Sequence, residues 1–191
     1  TEFVEKILNF NQDCVVIIDE AYCDFGGETS VPLTKKYENL LVTGTFSKSR
    51  SLAGIRIGFA IGSETLINTL EAVKNSYNSY TVDALSIAMG VEAMNDVEYF
   101  NKTVGMIKAT RQRVTDELRS LGFEVLDSQT NFIMATNDKL DIKDMFEYLK
   151  TKKIFIRYFN QPRINKYVRI TIGTDEEMDK FLQGVRDYIE Q

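Results

Sequence analysis

Apolar residues recur at helical spacing at the start and end of the chain and form unbroken runs between, a pattern that predicts an α/β protein. Phe3, Val4, Ile7, Leu8 and Phe10 place one face of a helix over residues 2–10. Residues 15–19 then read Val-Val-Ile-Ile-Asp, an uninterrupted apolar run ending on a carboxylate, as in a parallel strand buried on both faces. A second apolar strand starts at Leu41, and a third run, Phe59 to Ile61, follows a loop rich in serine and glycine. Leu66, Ile67, Leu70 and Val73 predict the inward face of a helix over Thr65–Lys74, which the polar run Asn75–Tyr80 breaks. Thr81 is placed to cap the next helix, which runs through Ala84, Ile87, Ala88 and Val91.

From Val97 onward Phe100, Val104, Ile107, Val114, Leu118 and Leu121 recur at spacings of three and four, which predicts one long helix ended by Gly122. About 25 residues of helix span ~37 Å. Arg111 interrupts the apolar stripe and is expected to reach solvent or a carboxylate. The remainder reads as an α+β unit. Phe132–Ala135 is a strand; Asp141 caps a helix with Ile142, Met145, Phe146 and Leu149 on one face; Ile154–Phe159 and Val168–Ile172 are further strands. Thr174-Asp175-Glu176-Glu177 is a capping box opening the last helix, whose face is Met178, Phe181, Leu182, Val185 and Ile189. The expected organisation is residues 1–95, a linking helix over 96–122, and a smaller unit over 123–191.

Composition narrows the function. At 43% hydrophobic residues the 191-residue chain can build a core, and its formal charge of −5 without a dense Lys/Arg block argues against nucleic acid as a partner. No stretch approaches the ~20 apolar residues of a membrane span, so no membrane partner is expected and the protein is expected to be soluble and cytoplasmic. Cys14 and Cys23 show no metal-ligand spacing and are expected to be buried thiols; no metal is predicted. There is no histidine, which removes histidine-based triads and most zinc enzymes and leaves acid–base work to Lys, Asp, Glu, Tyr or Cys.

The candidate chemistry centres on Gly44-Thr45-Phe46-Ser47-Lys48-Ser49-Arg50, with Arg56 eight residues beyond the lysine. A lysine between two serines at the end of a buried strand sits among anion-binding groups, and a desolvated amine beside other cations loses its proton readily enough to form a Schiff base with an aldehyde. Asp19 and Tyr22 follow the neighbouring strand. Open α/β sheets bind ligands at the carboxyl ends of such strands, so Asp19, Tyr22 and Lys48 are expected to share one crevice.

Asp19-Glu20-Ala21-Tyr22, Thr45-Phe46-Ser47-Lys48 and Leu52-Ala53-Gly54-Ile55-Arg56-Ile57-Gly58 together resemble the core of the pyridoxal-phosphate aminotransferases of fold type I, nearest to those acting on histidinol phosphate. The resemblance implies part of the large cofactor-binding domain of the aspartate aminotransferase-like fold, followed by a small α+β domain. It implies pyridoxal 5'-phosphate as cofactor, Lys48 as the amine that takes its aldehyde, Asp19 as partner of the pyridine nitrogen, Tyr22 as donor to the ring's phenolic oxygen, and Ser47 with Arg56 as the phosphate grip. Arg169, in Val168-Arg169-Ile170-Thr171-Ile172-Gly173, is implied to grip the substrate's α-carboxylate and Arg157 to meet a phosphate on the substrate tail. Where the family usually carries proline before the Tyr77-Asn78 pair, this chain has Ser76.

The resemblance further implies transamination of an amino phosphate or amino acid with a 2-oxo acid, in histidine biosynthesis, by a homodimer. The family's domain begins upstream of residue 1 and supplies there the residue that stacks on the ring, so the chain is read as roughly the later half, expected to bind cofactor weakly by itself. Aromatic amino acid aminotransferases and threonine-phosphate decarboxylases of the same fold remain open readings, as does a non-catalytic interaction module. A P-loop ATPase reading of Val-Val-Ile-Ile-Asp-Glu fails on order: Lys48 follows the strand and Ser47, whereas the phosphate loop precedes its strand and places lysine after glycine.

Overall fold

β-Branched and leucine-rich runs build the first sheet. In a computed structural model that describes residues 1–191, strand β1 (Val16–Asp19) lies parallel to β2 (Leu40–Thr45), and β3 (Gly58–Gly62) returns antiparallel on the far side of β2. Helix α1 (Glu2–Phe10) buries Leu8 against Leu40 and Val42, with Val16 and Ile18 packed around them. The opposite face is covered over Gly62 and Leu41, where Leu66 of α2 (Glu64–Tyr77) approaches. β1 is therefore an edge strand and not one buried on both faces: Val15 and Ile17 are 52% and 61% exposed.

The helices that follow start and stop where local hydrogen bonds direct. Ser63 caps α2 by accepting from the Leu66 amide, and the helix continues past the expected break at Asn75 to Tyr77, with the Ser76 hydroxyl donating to the Ala72 carbonyl inside it. Of its expected inward face, Leu66 and Ile67 are half-buried while Leu70 and Val73 are exposed. Helix α3 (Ala84–Asn95) is capped by Asp83 rather than Thr81: the Asp83 carboxylate accepts from both the amide and the hydroxyl of Ser86. Ser86 and Gly90 are its buried residues, whereas Leu85, Ile87, Met89, Val91 and Met94 are exposed. Helix α4 (Val97–Ser120) is the long helix, and Gly122, at φ +86°, turns the chain out of it.

Two compact units result, Thr1–Lys102 and Thr103–Gln191. The second is an antiparallel sheet of order β4-β5-β7-β6, formed by Glu124–Val125, Phe132–Thr136, Val168–Thr171 and Arg157–Tyr158 in that spatial order. Of the run Ile154–Phe159 only Arg157 and Tyr158 pair, because the chain leaves helix α5 (Ile142–Thr151) through a left-handed turn at Lys153, φ 62°. Val114 and Leu118 of α4, Ile133 of β5, Leu149 of α5 and Phe181 of α6 (Asp175–Ile189) meet in one core. Fully burying a side chain of this size is worth about 1.5–3 kcal/mol. Asp141 caps α5, and Thr174 with Glu177 forms the capping box of α6.

Charged groups lock α4 to α6. Arg113 pairs with Glu117, Asp175 and Asp179, and Arg186 reaches Glu117 from the other helix. Arg111 is half-buried and donates to the Thr130 carbonyl, and burial lowers its pKa. The thiols differ from expectation, since Cys14 is exposed. Cys23 is half-buried, and burial, aided by Glu20 and Asp24, pushes its thiol up to about 11. No helix is long and apolar enough to cross a membrane.

Candidate active site

The carboxyl ends of β1 and β2 lie side by side, with Asp19 in register with Thr43 and the Glu20 amide still bonded to the Thr43 carbonyl at 2.8 Å. There the chain turns on its own side chain. The Ala21 amide donates to Asp19 Oδ1 at 2.9 Å, which fixes the carboxylate and leaves Oδ2 without a protein partner. Glu20 holds the returning loop by accepting from the Thr29 hydroxyl and the Ser30 amide. Tyr22 then leads into a 3-10 turn, Cys23–Phe25, anchored by the fully buried Phe25.

Beyond β2 the loop is closed on itself. Thr45 Oγ1 accepts from the Ser47 amide at 3.0 Å, the Phe46 amide donates to the Ile57 carbonyl at 3.1 Å, and the Leu52 amide donates to the Phe46 carbonyl at 3.0 Å. Lys48 leaves this loop with its Nζ 5.4 Å from the centroid of the Tyr22 ring. In this chain Lys48 is exposed, not desolvated. Arg56 adopts left-handed backbone, φ 57°, and its Nη1 donates to the Ala53 carbonyl at 2.8 Å. That backbone costs a non-glycine residue roughly 1–2 kcal/mol. Neither Lys48, Asp19 nor Arg56 takes part in an ion pair, so an amine, a carboxylate and a guanidinium keep capacity for a ligand. Ser47 is half-buried, with its amide already committed to Thr45.

Arg169 and Arg157 belong to the second unit, directly opposite each other on β7 and β6. Like charges so paired repel. Neither guanidinium has a carboxylate partner; instead Arg169 lies 5.2 Å from the Phe132 ring centroid and 5.8 Å from that of Phe159, and Arg157 lies 5.3 Å from Phe159. Arg169 Nε is buried with no hydrogen-bond partner. A buried donor without an acceptor costs about 1–3 kcal/mol, and an anion seated between the arginines relieves both that cost and the repulsion.

The structure thus brings Tyr22 and Lys48 together, with Asp19 on the adjoining strand end, and pairs the two distal arginines. Residue-type reasoning overlooked the groups that support them: Asp24, which accepts from the Ser49 hydroxyl; Phe100, under the Arg50 guanidinium; and the two phenylalanines beside Arg169. Ser49 and Arg50 follow the lysine in the sequence, but nothing there shows that both turn inward.

The chain as a whole is similar to proteins of a known family. The chain is 52% identical over 184 residues to a histidinol-phosphate aminotransferase of Brachyspira hyodysenteriae, covering 96% of this chain and 52% of that protein. It is 50% identical over 186 residues to one of Lactococcus lactis subsp. cremoris, covering 97% and 52%. The chain spans about half the length of the curated relatives it matches. Among solved structures, the histidinol-phosphate aminotransferase of Sinorhizobium meliloti in complex with pyridoxal-5'-phosphate superposes with a TM-score of 0.81 at 25% identity, covering 96% of this chain and 53% of that one. Residues 1–185, nearly the whole chain, match the family model described as aminotransferase class I and II, and the chain belongs to that family.

Proposed function

We propose that the protein is a pyridoxal-phosphate-dependent aminotransferase that acts on L-histidinol phosphate, with 2-oxoglutarate and glutamate as the second pair, in histidine biosynthesis. The observation that carries this reading is the near-half identity, sustained over almost the entire chain, to relatives named for that activity. The residues fit the cofactor: an amine without an ion pair beside a phenol, a carboxylate with one oxygen open, and an arginine without a carboxylate suit an aldehyde, a ring oxygen, a ring nitrogen and a phosphate respectively. When bound, the cofactor supplies an aldehyde to hold an amine and a protonated pyridine ring to accept the electrons left by a departing α-proton.

The chain's own groups divide the remaining work. Lys48 Nζ would hold the aldehyde, and as a free amine it would move protons as general acid and base. Asp19 Oδ2 keeps the ring nitrogen protonated, while its Oδ1 stays on the Ala21 amide. Tyr22 donates to the ring oxygen, and Ser47 and Arg56 hold the phosphate. Arg169 takes the α-carboxylate of glutamate, and Arg157 takes the phosphate of histidinol phosphate. The working form is a cytoplasmic homodimer, and sedimentation of the natural protein checks its state.

Borohydride reduction of the natural protein with cofactor, followed by peptide mapping, is expected to mark Lys48; label on another lysine alone overturns the assignment. A donor panel of histidinol phosphate, aromatic amino acids and threonine phosphate then tests the substrate, with histidinol phosphate expected to give the highest kcat/KM.

A further inference from the structure

Lys48 opens a tight turn. The Ser51 amide donates to the Lys48 carbonyl at 3.2 Å, and Ser51 has left-handed backbone, φ 56°, so the turn holds a strained conformation that something must fix. Its two central residues are both anchored in protein. Ser49 is 6% exposed and its hydroxyl donates to the Asp24 carboxylate. Arg50 is half-buried: its Nη1 donates to the Ala93 carbonyl at 2.6 Å, and its guanidinium carbon lies 3.8 Å from the Phe100 ring centroid.

The Arg50 contacts suit an arginine alone. Ala93 is in the last turn of α3, where carbonyls lack helical partners and attract a cation, while the Glu92 carbonyl is already taken by the Asp96 amide. A planar guanidinium can serve that carbonyl along its edge and cover a ring with its face; an ammonium cannot do both. Helix α3 is close enough because Ser86, Gly90 and Ala93 share the side that meets the loop. A Cβ on Gly90 would come within 3.1 Å of Ile57 Cδ1. With the amide of Phe46 bonded to the carbonyl of Ile57, α3 presses on the loop at its closure and grips it at Arg50.

We propose that Arg50 is a positioning residue for Lys48: by stacking on Phe100 and capping the end of α3 it fixes the turn from which the lysine amine is held over Tyr22. The role rests on the proposed function only in giving that amine work to do.

The test compares the natural protein without cofactor with its Arg50→Met, Arg50→Lys, Phe100→Leu and Tyr22→Leu variants. The readout is the rate at which trace acetic anhydride acetylates Lys48 relative to Lys150 and Lys152, measured by mass spectrometry at neutral pH. An exposed ammonium over the half-buried Tyr22 ring is favoured by a modest cation–π interaction, so removing the ring, or releasing the turn that places the amine there, is expected to raise the relative rate about threefold. Arg50→Met and Tyr22→Leu should each give that rise, and the double variant no more than either alone, since both act on one contact. Phe100→Leu keeps the apolar bulk and should give part of the rise; Arg50→Lys should fall between Met and arginine. Unchanged relative labelling in Arg50→Met overturns the proposal. So does full additivity with Tyr22→Leu, and should Arg50→Met fail to fold, unchanged labelling in both Phe100→Leu and Arg50→Lys overturns it equally. Absence of cofactor capture at Lys48 in the unsubstituted protein would instead remove the functional reading, with the labelling comparison still deciding the positioning role.

Discussion

Replacing Arg169 by methionine should make the protein more stable while removing its response to carboxylates. Arg169 Nε is buried without a partner and its guanidinium stands opposite Arg157 in the β6–β7 register. Relief of one unsatisfied donor is worth about 1 kcal/mol at the low end of the usual range. Relief of the cross-strand repulsion adds about 0.5 kcal/mol. Against this, methionine forgoes the stacking on Phe132 and Phe159, about 0.5 kcal/mol, while keeping an unbranched stem of similar reach. The net expectation is a gain of about 1 kcal/mol, which corresponds to a rise in melting temperature of about 2–4 °C for a chain of this size. Thermal unfolding in a non-coordinating buffer measures it, repeated with increasing glutarate. A ligand that binds only the native state raises stability with its concentration, so the unsubstituted protein should gain from glutarate and the variant should not. A loss of more than 1 kcal/mol without glutarate, or an undiminished gain with it, would refute the idea that Arg169 is held in readiness for an anion.

Further outcomes follow from the same geometry. Asp19→Asn keeps an oxygen for the Ala21 amide, so its urea midpoint should match the parent, while pyridoxal phosphate binding, read by absorbance, should weaken with the loss of the charge. Gly122→Ala forces a side chain into φ +86° at the end of α4 and should cost roughly 1–2 kcal/mol by urea titration. Asp175 has its pKa lowered by the Thr110 hydroxyl and then by Arg113, so its contribution is present above the ordinary carboxylate value of 3.8 and is lost as pH falls below it through the depressed folded value. Urea midpoints between pH 5 and pH 2.5 should therefore decline less steeply in Asp175→Asn, and salt should shrink the difference.

Local signals were the legible ones. Asp141 and the Thr174–Glu177 pair mark their helices because a cap acts within one turn, whereas Thr81 and Asp83 are both competent and only the doubly bonded Ser86 selects between them. The meeting of Tyr22 with Lys48 was readable because adjacent parallel strands deliver their carboxyl ends to one edge. The facing of Arg157 and Arg169 was not, since it depends on a register set across a loop of irregular backbone. Burial was misread where a run of apolar residues stood for a neighbour: Val-Val-Ile-Ile specifies a strand, not what lies against it. The Arg111 bond to the Thr130 carbonyl was illegible for the opposite reason, as no side-chain pattern encodes a main-chain acceptor.

The open flank of β1 has a consequence for the bench. Its unpaired amides and carbonyls, next to exposed Val15 and Ile17, form a template onto which another extended chain can add. When residues 1–191 are refolded by themselves, recovery from denaturant should accordingly be limited by collision frequency: dilute samples refold in good yield, concentrated ones precipitate, and a lysine in place of Ile17 acts as a gatekeeper that restores solubility.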